Sequence, residues 1–216
     1  MDERQLRVLH EDAHLVVFDK PSGLLSVPGR GPDKQDCAAT RAQAMYADAR
    51  VVHRLDMATS GLFVMARGAA AQRVLSNAFA AGEVAKRYEA VVAGKLETPA
   101  GSADGWSLID LPIAADWPRR PLRVINRANG KPSQTRWRVL GIADTDTRLE
   151  LAPLTGRTHQ LRVHLQAIGH PILGDALYAP PDVQARSPRL MLHASAIAFS
   201  HPTTGIQIDI ACTPVF

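Results

Sequence analysis

From Tyr88 onward the chain is dominated by short stretches with the two-residue alternation of β-strands, set between compact turn signals. This constrains the fold more than any other feature. Tyr88, Ala90 and Val92 alternate with Arg87, Glu89 and Val91. Further strands are predicted over residues 108–114, 122–127, 135–140, 147–154, 190–199 and 206–211, with Asn129-Gly130 and Asp144-Thr145-Asp146 as turns. The start of the chain, residues 6–25, reads as strand, Glu11-Asp12 turn, strand through Leu15-Val16-Val17-Phe18, and a Pro21-Ser22-Gly23 corner. Helices are few. One is expected to be capped by Asp36 and to run through the Ala-rich stretch to Ala47. A second covers 69–81, with Val74, Leu75, Ala78 and Phe79 on its apolar face and Gly82 as its stop. A third covers 158–168, with a Leu161, Leu165 and Ile168 stripe ended by Gly169 and Pro171. Strands joined by short turns with a few helices define an α+β protein around a mostly antiparallel sheet.

With 216 residues, 46% of them hydrophobic, the chain can bury one substantial core, so a single domain over 1–216 is expected. There is no repeat, low-complexity tract or linker. The formal charge of +4 permits an anionic partner without requiring one. Its distribution is more telling. Arg119, Arg120, Arg123, Arg127, Lys131, Arg136 and Arg138 follow one another with no acid among them, which suits either a strip of phosphate contacts or a solvated basic hairpin. Cys37 and Cys212 lie far apart, so neither a zinc knuckle nor a disulfide framework is indicated, and a reducing compartment fits. No apolar run has the length of a signal peptide core or a membrane span, and a soluble, cytoplasmic monomer is expected.

The chemistry is concentrated in Val52-His53-Arg54-Leu55-Asp56-Met57-Ala58-Thr59-Ser60-Gly61-Leu62-Phe63-Val64-Met65-Ala66. Two apolar stretches bracket a polar turn, so a strand delivers Asp56 to a bend before the chain re-enters the core. In an arbitrary loop such an Asp caps the turn, and His53 and Arg54 only solvate it. The whole string argues for more. It resembles the signature of the RluA family of RNA pseudouridine synthases, in which His-Arg-Leu-Asp, two variable positions and Thr-Ser-Gly are the fixed places. The resemblance implies a bent, mixed, mostly antiparallel sheet flanked by a few helices, and it gives Asp56 the catalytic position. It also associates Arg54 with filling the gap left by a flipped-out base, flanked by His53.

Two more strings extend the resemblance. Leu154-Thr155-Gly156-Arg157-Thr158-His159-Gln160-Leu161-Arg162-Val163-His164 is similar to the family segment whose Arg pairs with the catalytic Asp, which places Arg157 in that role. An Arg fork holds a carboxylate in two places and stays charged. Lys86-Arg87-Tyr88-Glu89-Ala90-Val91-Val92 is similar to the Lys-x-Tyr-x-Ala-x-Val segment. On that likeness Tyr88 stacks on the target uracil and accepts the C5 proton, although a Tyr on a half-buried strand is by itself ordinary core filling. His159 and His164, five residues apart on a helix, point to different faces, and neither a metal nor any other cofactor is expected.

The likeness runs from Lys20-Pro21-Ser22-Gly23-Leu24-Leu25-Ser26-Val27-Pro28-Gly29 to the last strands. The few residues before Leu6 leave no room for the S4-type RNA-binding domain of many relatives. Asp110-Leu111-Pro112-Ile113 and Asp116-Trp117-Pro118-Arg119-Arg120-Pro121 resemble the compact branch of the family, which acts on stem-loops of large-subunit ribosomal RNA and of transfer-RNA anticodon arms. RNA is therefore the expected partner, with His53, Arg54, Arg119, Arg120, Arg123, Arg127 and Lys131 toward it. An enzyme with a single RNA target and a non-catalytic RNA-binding protein on this fold stand as alternatives. The second should have lost Asp56, Tyr88 or Arg157, and all three are present. A hydrolase is not supported, because Gly-x-Ser-x-Gly, His-Glu-x-x-His and a phosphate-binding Gly-Lys loop are missing.

Overall fold

The computed structural model describes residues 5–99 and 104–216. In chain order its strands and helices are β1 (Arg7–Glu11), β2 (Leu15–Lys20), α1 (Ala38–Met45), β3 (Ala49–Val51), β4 (Ser60–Arg67), α2 (Gly68–Ala81), β5 (Ala85–Ala93) and β6 (Ser107–Asp110). They continue with β7 (Ile113–Ala115), β8 (Arg123–Ile125), β9 (Gln134–Ile142), β10 (Asp146–Pro153), α3 (Gln160–Ala167), α4 (Pro181–Gln184), β11 (Leu192–Ser200) and β12 (Gln207–Ala211). The α+β class follows from this inventory. The residues form two compact units, one up to Lys86 together with His193–Val215, the other Arg87–Leu192 with Phe216.

In the first unit β4 is the central strand. It pairs antiparallel with β2 along one edge, while the other edge takes β3 at Met65–Arg67 and, in parallel, β11 at Ser60 and Gly61. Every residue of β4 from Ser60 to Ala66 is buried, which explains why its sequence is a near-continuous apolar run without alternation. Helix α2 covers it by burying Ala71 and Leu75 and stops at Gly82, which is left-handed as a C-terminal glycine cap requires. Val74, expected on the apolar face, is 47% exposed, because the covered stripe is narrower than the sequence suggested. Helix α1 is capped by Cys37 and not by Asp36: the Cys37 sulfur accepts from Thr40 N–H, and Asp36 is instead held by Arg41 at 2.7 Å.

The second unit is an antiparallel sheet in the order β5-β10-β9-β6, with a separate β7-β8 hairpin. The single strand predicted over 108–114 is two strands. Pro112 has no N–H to give to a ladder, and there the chain leaves β9 and joins β8. Helix α3 begins two residues later than expected because His159 is left-handed (φ 58°). It is also enclosed almost all round, so that Gln160, Arg162 and His164 are buried along with its leucines. Each has a partner, as buried polar groups require: Gln160 Nε2 donates to Gln134 O at 3.0 Å, Arg162 forks onto Asp175, and His164 lies 2.9 Å from both Thr135 Oγ1 and Leu111 O.

Candidate active site

In the first unit, Asp56 sits in the loop between β3 and β4, and the segment after β2 fixes that loop residue by residue. Ser26 Oγ accepts from Leu55 N–H at 3.0 Å and donates to Leu55 O at 2.8 Å. Met57 O accepts from Gly23 N–H at 2.9 Å and from Lys20 Nζ at 3.2 Å, and Ala58 O accepts from Ser22 Oγ at 2.7 Å. Thr59 N–H closes the turn onto Asp56 O at 3.1 Å. Lys20 is fully buried, and its ammonium also donates to Leu24 O at 2.7 Å and Pro21 O at 2.9 Å, so carbonyl dipoles replace its lost water. The result is a rigid turn in which Asp56 is half-buried between anchored neighbours. The clamp was not legible as such in the sequence; its only signal was Pro-Ser-Gly directly after an apolar strand.

Gly61 explains the glycine that ends the turn string. Its φ is +104°, and a Cβ there would lie 2.4 Å from Ala194 O on β11, so no other residue fits without moving a strand. Next to it Ser60 Oγ lies 2.8 Å from His193 Nδ1, and His193 Nε2 lies 3.1 Å from Cys212 O. Asp19, His193 and Cys212 bring three potential metal ligands within 4.8 Å. Both ring nitrogens of His193 are engaged, and burial, with the Asp19 carboxylate, pushes the Cys212 thiol up to about 11, so the sulfur is held as a thiol.

His53 and Arg54 part company. Val64 N–H donates to His53 Nε2 at 2.9 Å, and the imidazole stacks on Phe79 with ring centres 4.4 Å apart. Burial, with the nearby Lys86 charge, pushes its pKa down to about 3, so it is neutral at ordinary pH. Burial lowers Lys86 as well. Arg54, by contrast, is exposed.

The second unit holds Tyr88 and Arg157. Tyr88 is half-buried on β5, opposite Leu151 of β10. Arg157 is exposed in the loop from β10 to α3. Its N–H donates to Gln160 Oε1 at 3.0 Å, and its Nε donates to Pro132 O at 3.3 Å. Gln160 Oε1 also accepts from Thr155 Oγ1 at 2.8 Å, so a single buried amide braces the loop. Arg157, Arg123 and Lys131 line one cleft of 650 Å³ together with Trp117, Asn126 and Asn129. The buried Nε of Arg123 has no hydrogen-bond partner among the described residues.

The basic stretch is not one strip. Arg119 pairs with Asp116 at 2.6 Å just before the stretch, Arg138 pairs with Glu150 at 2.5 Å and Arg136 pairs with Asp104, so all three face carboxylates, two of them from distant parts of the chain. Arg136 and Arg138 lie on β9, where with Arg87 they surround the Trp106 ring at about 5 Å. The Arg120 guanidinium lies 3.6 Å from the centre of the exposed Trp117 ring. Arg127 and Lys131 are exposed, and no ion pair among the described residues involves them. Trp117 was not singled out from the sequence, and an exposed Trp in a basic turn was the available signal. Among the described residues no helix is long and apolar enough to cross a membrane.

The fold and these strings define an RNA-modifying isomerase. Residues 14–167 match the RNA pseudouridylate synthase family, and the chain belongs to it; its reaction is the isomerisation of uridine to pseudouridine in RNA. A Yersinia pestis protein described as dual-specificity RNA pseudouridine synthase RluA is 47% identical over 97% of this chain and 99% of its own length. Proteins with the same description from Escherichia coli K12 and Pasteurella multocida are 48% and 45% identical, over 94% and 98% of this chain and 90% and 94% of theirs. Among solved structures, human RNA pseudouridylate synthase domain containing 1 superposes with a TM-score of 0.80 at 27% identity, over 99% of this chain and 85% of that one. Human RNA pseudouridylate synthase domain containing 4 gives 0.74 at 26% identity, over 96% and 88%.

Proposed function

We propose that this synthase acts on more than one RNA, modifying uridines in stem-loops of large-subunit ribosomal RNA and of transfer-RNA anticodon arms, with Asp56, Tyr88 and Arg157 as its reacting residues. The observation that carries the reading is the Asp56 turn. The backbones of Leu55, Met57 and Ala58 are each anchored by side-chain or main-chain donors from the 20–26 segment, while Asp56 itself keeps partial access to solvent. A turn held this way places a carboxylate without the entropy of a mobile loop.

The reaction breaks the bond from uracil N1 to ribose C1′, turns the base and rejoins it through C5, after which the C5 proton leaves. Attack by Asp56 on the sugar, attack on the ring and removal of a ribose proton all require its carboxylate ionised. The family resemblance is what gives a permanently charged Arg157 the part of keeping it so. Tyr88 stacks on the detached uracil and accepts the C5 proton. Because a stacked uridine cannot reach such a pocket, the base must flip, and exposed Arg54 enters the space it leaves. Phosphates of the stem lie along Arg123, Arg127 and Lys131, with Arg119 and Arg120 at the edge of that surface. A bent loop whose base swings out cheaply suits a protein that reads shape, and the shared description of its relatives supports two such RNAs. On this reading the enzyme works as a cytoplasmic monomer without a cofactor.

The test is tritium release from RNA labelled at uridine C5, using one ribosomal and one anticodon stem-loop. Both should release tritium with the unaltered enzyme and neither with Asp56→Asn, which keeps the shape and loses the charge. Turnover by Asp56→Asn within about tenfold of the parent would remove Asp56 from the chemistry. Release from only one of the two RNAs would reduce the proposal to a single target.

A further inference from the structure

His159 stands two residues after Arg157 and is the one non-glycine residue with a positive φ among those described (φ 58°, ψ 16°). This conformation disfavours any side chain, and a strained residue in a functional loop asks what its side chain does there. The His159 Nδ1 lies 2.6 Å from Tyr178 Oη. That hydroxyl also accepts the backbone N–H of Arg123 at 2.9 Å, which leaves its own proton to donate to the imidazole. Arg123 and Arg157 line the same cleft, so one phenol links the backbone of Arg123 to the side chain of His159, two residues after Arg157.

Tyr178 is itself held. Its N–H donates to Asp175 Oδ1 at 3.1 Å, and Leu177 N–H donates to the same oxygen at 2.9 Å. Asp175 receives the buried Arg162 fork at 2.8 and 2.5 Å, and the Arg162 guanidinium lies 5.1 Å from the Tyr178 ring centre. Arg162 is in the first turn of α3, so the circuit returns to the helix that His159 opens. At Gly174 a Cβ would lie 1.9 Å from Arg189 O, which pins the far side of the circuit against the backbone. On the near side, Gln160 holds the Arg157 N–H.

We infer that Tyr178 and His159 are positioning residues that lock the backbone of the Arg157 loop and of Arg123 in one geometry through their shared hydrogen bond. This rests on the reading that Arg157 takes part in the reaction. Neither residue touches the reacting atoms. Their effect passes through where Arg157 is held, and small displacements of an aligned group are costly in rate.

The experiment compares Tyr178→Phe, His159→Gly and Arg157→Lys, singly and in pairs, by single-turnover tritium release, RNA binding and thermal unfolding. Tyr178→Phe keeps the ring under Arg162 and loses only the hydroxyl. His159→Gly keeps the left-handed backbone and loses only the imidazole. Each should slow the chemical step about tenfold to hundredfold, with RNA affinity changed less than about threefold. The pair should be no slower than either single variant, and either change should add little in the Arg157→Lys background, because the lock has nothing left to place. His159→Asn, which tolerates the backbone and offers a polar group, should recover part of the rate. If Arg157→Lys turns over like the parent, the reading of Arg157 falls. If Arg157→Lys is slow while Tyr178→Phe is within twofold of the parent, or multiplies the Arg157→Lys defect in full, only the positioning role is overturned. A lower unfolding temperature at unchanged rate also overturns it, since the network would then be structural alone.

Discussion

Ser26 Oγ serves both backbone polar groups of Leu55, accepting from its N–H and donating to its carbonyl, and both residues are nearly inaccessible to water. Without the hydroxyl, two buried groups immediately before Asp56 have nothing to bond. Ser26→Ala should therefore cost roughly 2–6 kcal/mol of stability, about 1–3 for each orphaned group. It should also lower turnover more than it lowers RNA affinity, because the freed turn holds the carboxylate less firmly. Urea unfolding with parallel tritium-release assays checks both, and a loss below about 0.5 kcal/mol would show that water or a shifted backbone replaces the hydroxyl.

His53 gives the protein a directional response to acid. Its folded pKa of about 3, caused by burial and then by Lys86, lies below the ordinary value of 6.5. Above that ordinary value the ring is neutral whether the chain is folded or not, and its contribution to stability is fully present. As the pH falls below it, the unfolded chain binds a proton that the folded chain refuses. Stability then declines by at most about 1.4 kcal/mol per pH unit for this one group until the folded pKa is reached. His53→Gln, which keeps an acceptor for Val64 N–H, should flatten the decline between pH 6.5 and pH 4. Denaturant midpoints for the two proteins across that range decide it, and parallel curves would mean that the imidazole titrates normally in the folded state.

Much of the architecture was legible because it depends on local periodicity and punctuation. The β5 alternation around Tyr88, the Gly82 stop and the apolar run of β4 each appear in a window of a few residues. The Asp56 turn was found the same way, but what holds it was not, since Lys20 and Ser26 reach it from across the sequence. Charge misled for the same reason. Residues 119–138 contain no acid, yet Arg119, Arg136 and Arg138 are paired with Asp116, Asp104 and Glu150, two of them through contacts that sequence order does not show. Helix α3 was read as amphipathic because Arg162 and His164 are ordinarily surface residues, whereas Asp175, Thr135 and Leu111 supply buried partners.

The charge pairing separates two kinds of arginine in RNA binding. Arg127 and Lys131 are exposed and outside any ion pair among the described residues, whereas Arg136 and Arg138 already face carboxylates. Replacing Arg127 or Lys131 by Ala should reduce the slope of log affinity against log salt by about 0.7–0.9 each, as loss of one phosphate contact does. Arg136→Ala and Arg138→Ala should change it by less than about 0.3. Binding titrations of a stem-loop at several salt concentrations distinguish the two sets. Equal slopes for all four variants would place the RNA over the β9 face as well.

Tyr88 offers the cleanest separation of binding from chemistry. Its place on β5 is fixed by the ladder to β10, where it stands opposite Leu151, so removing the hydroxyl leaves the strand and the aromatic ring in position. If the phenol oxygen accepts the C5 proton, Tyr88→Phe should fold normally, bind RNA with little change and slow turnover by about 10²–10⁴, the range a positioned proton acceptor contributes. Tyr88→Leu, which removes the stacking face too, should in addition weaken RNA binding, by about 1–3 kcal/mol for one stacked base. Single-turnover tritium release matters here because slow product release would mask a defect in the proton step. Parent-like release by Tyr88→Phe, with weakened binding confined to Tyr88→Leu, would leave Tyr88 a stacking residue and send the search for the proton acceptor elsewhere.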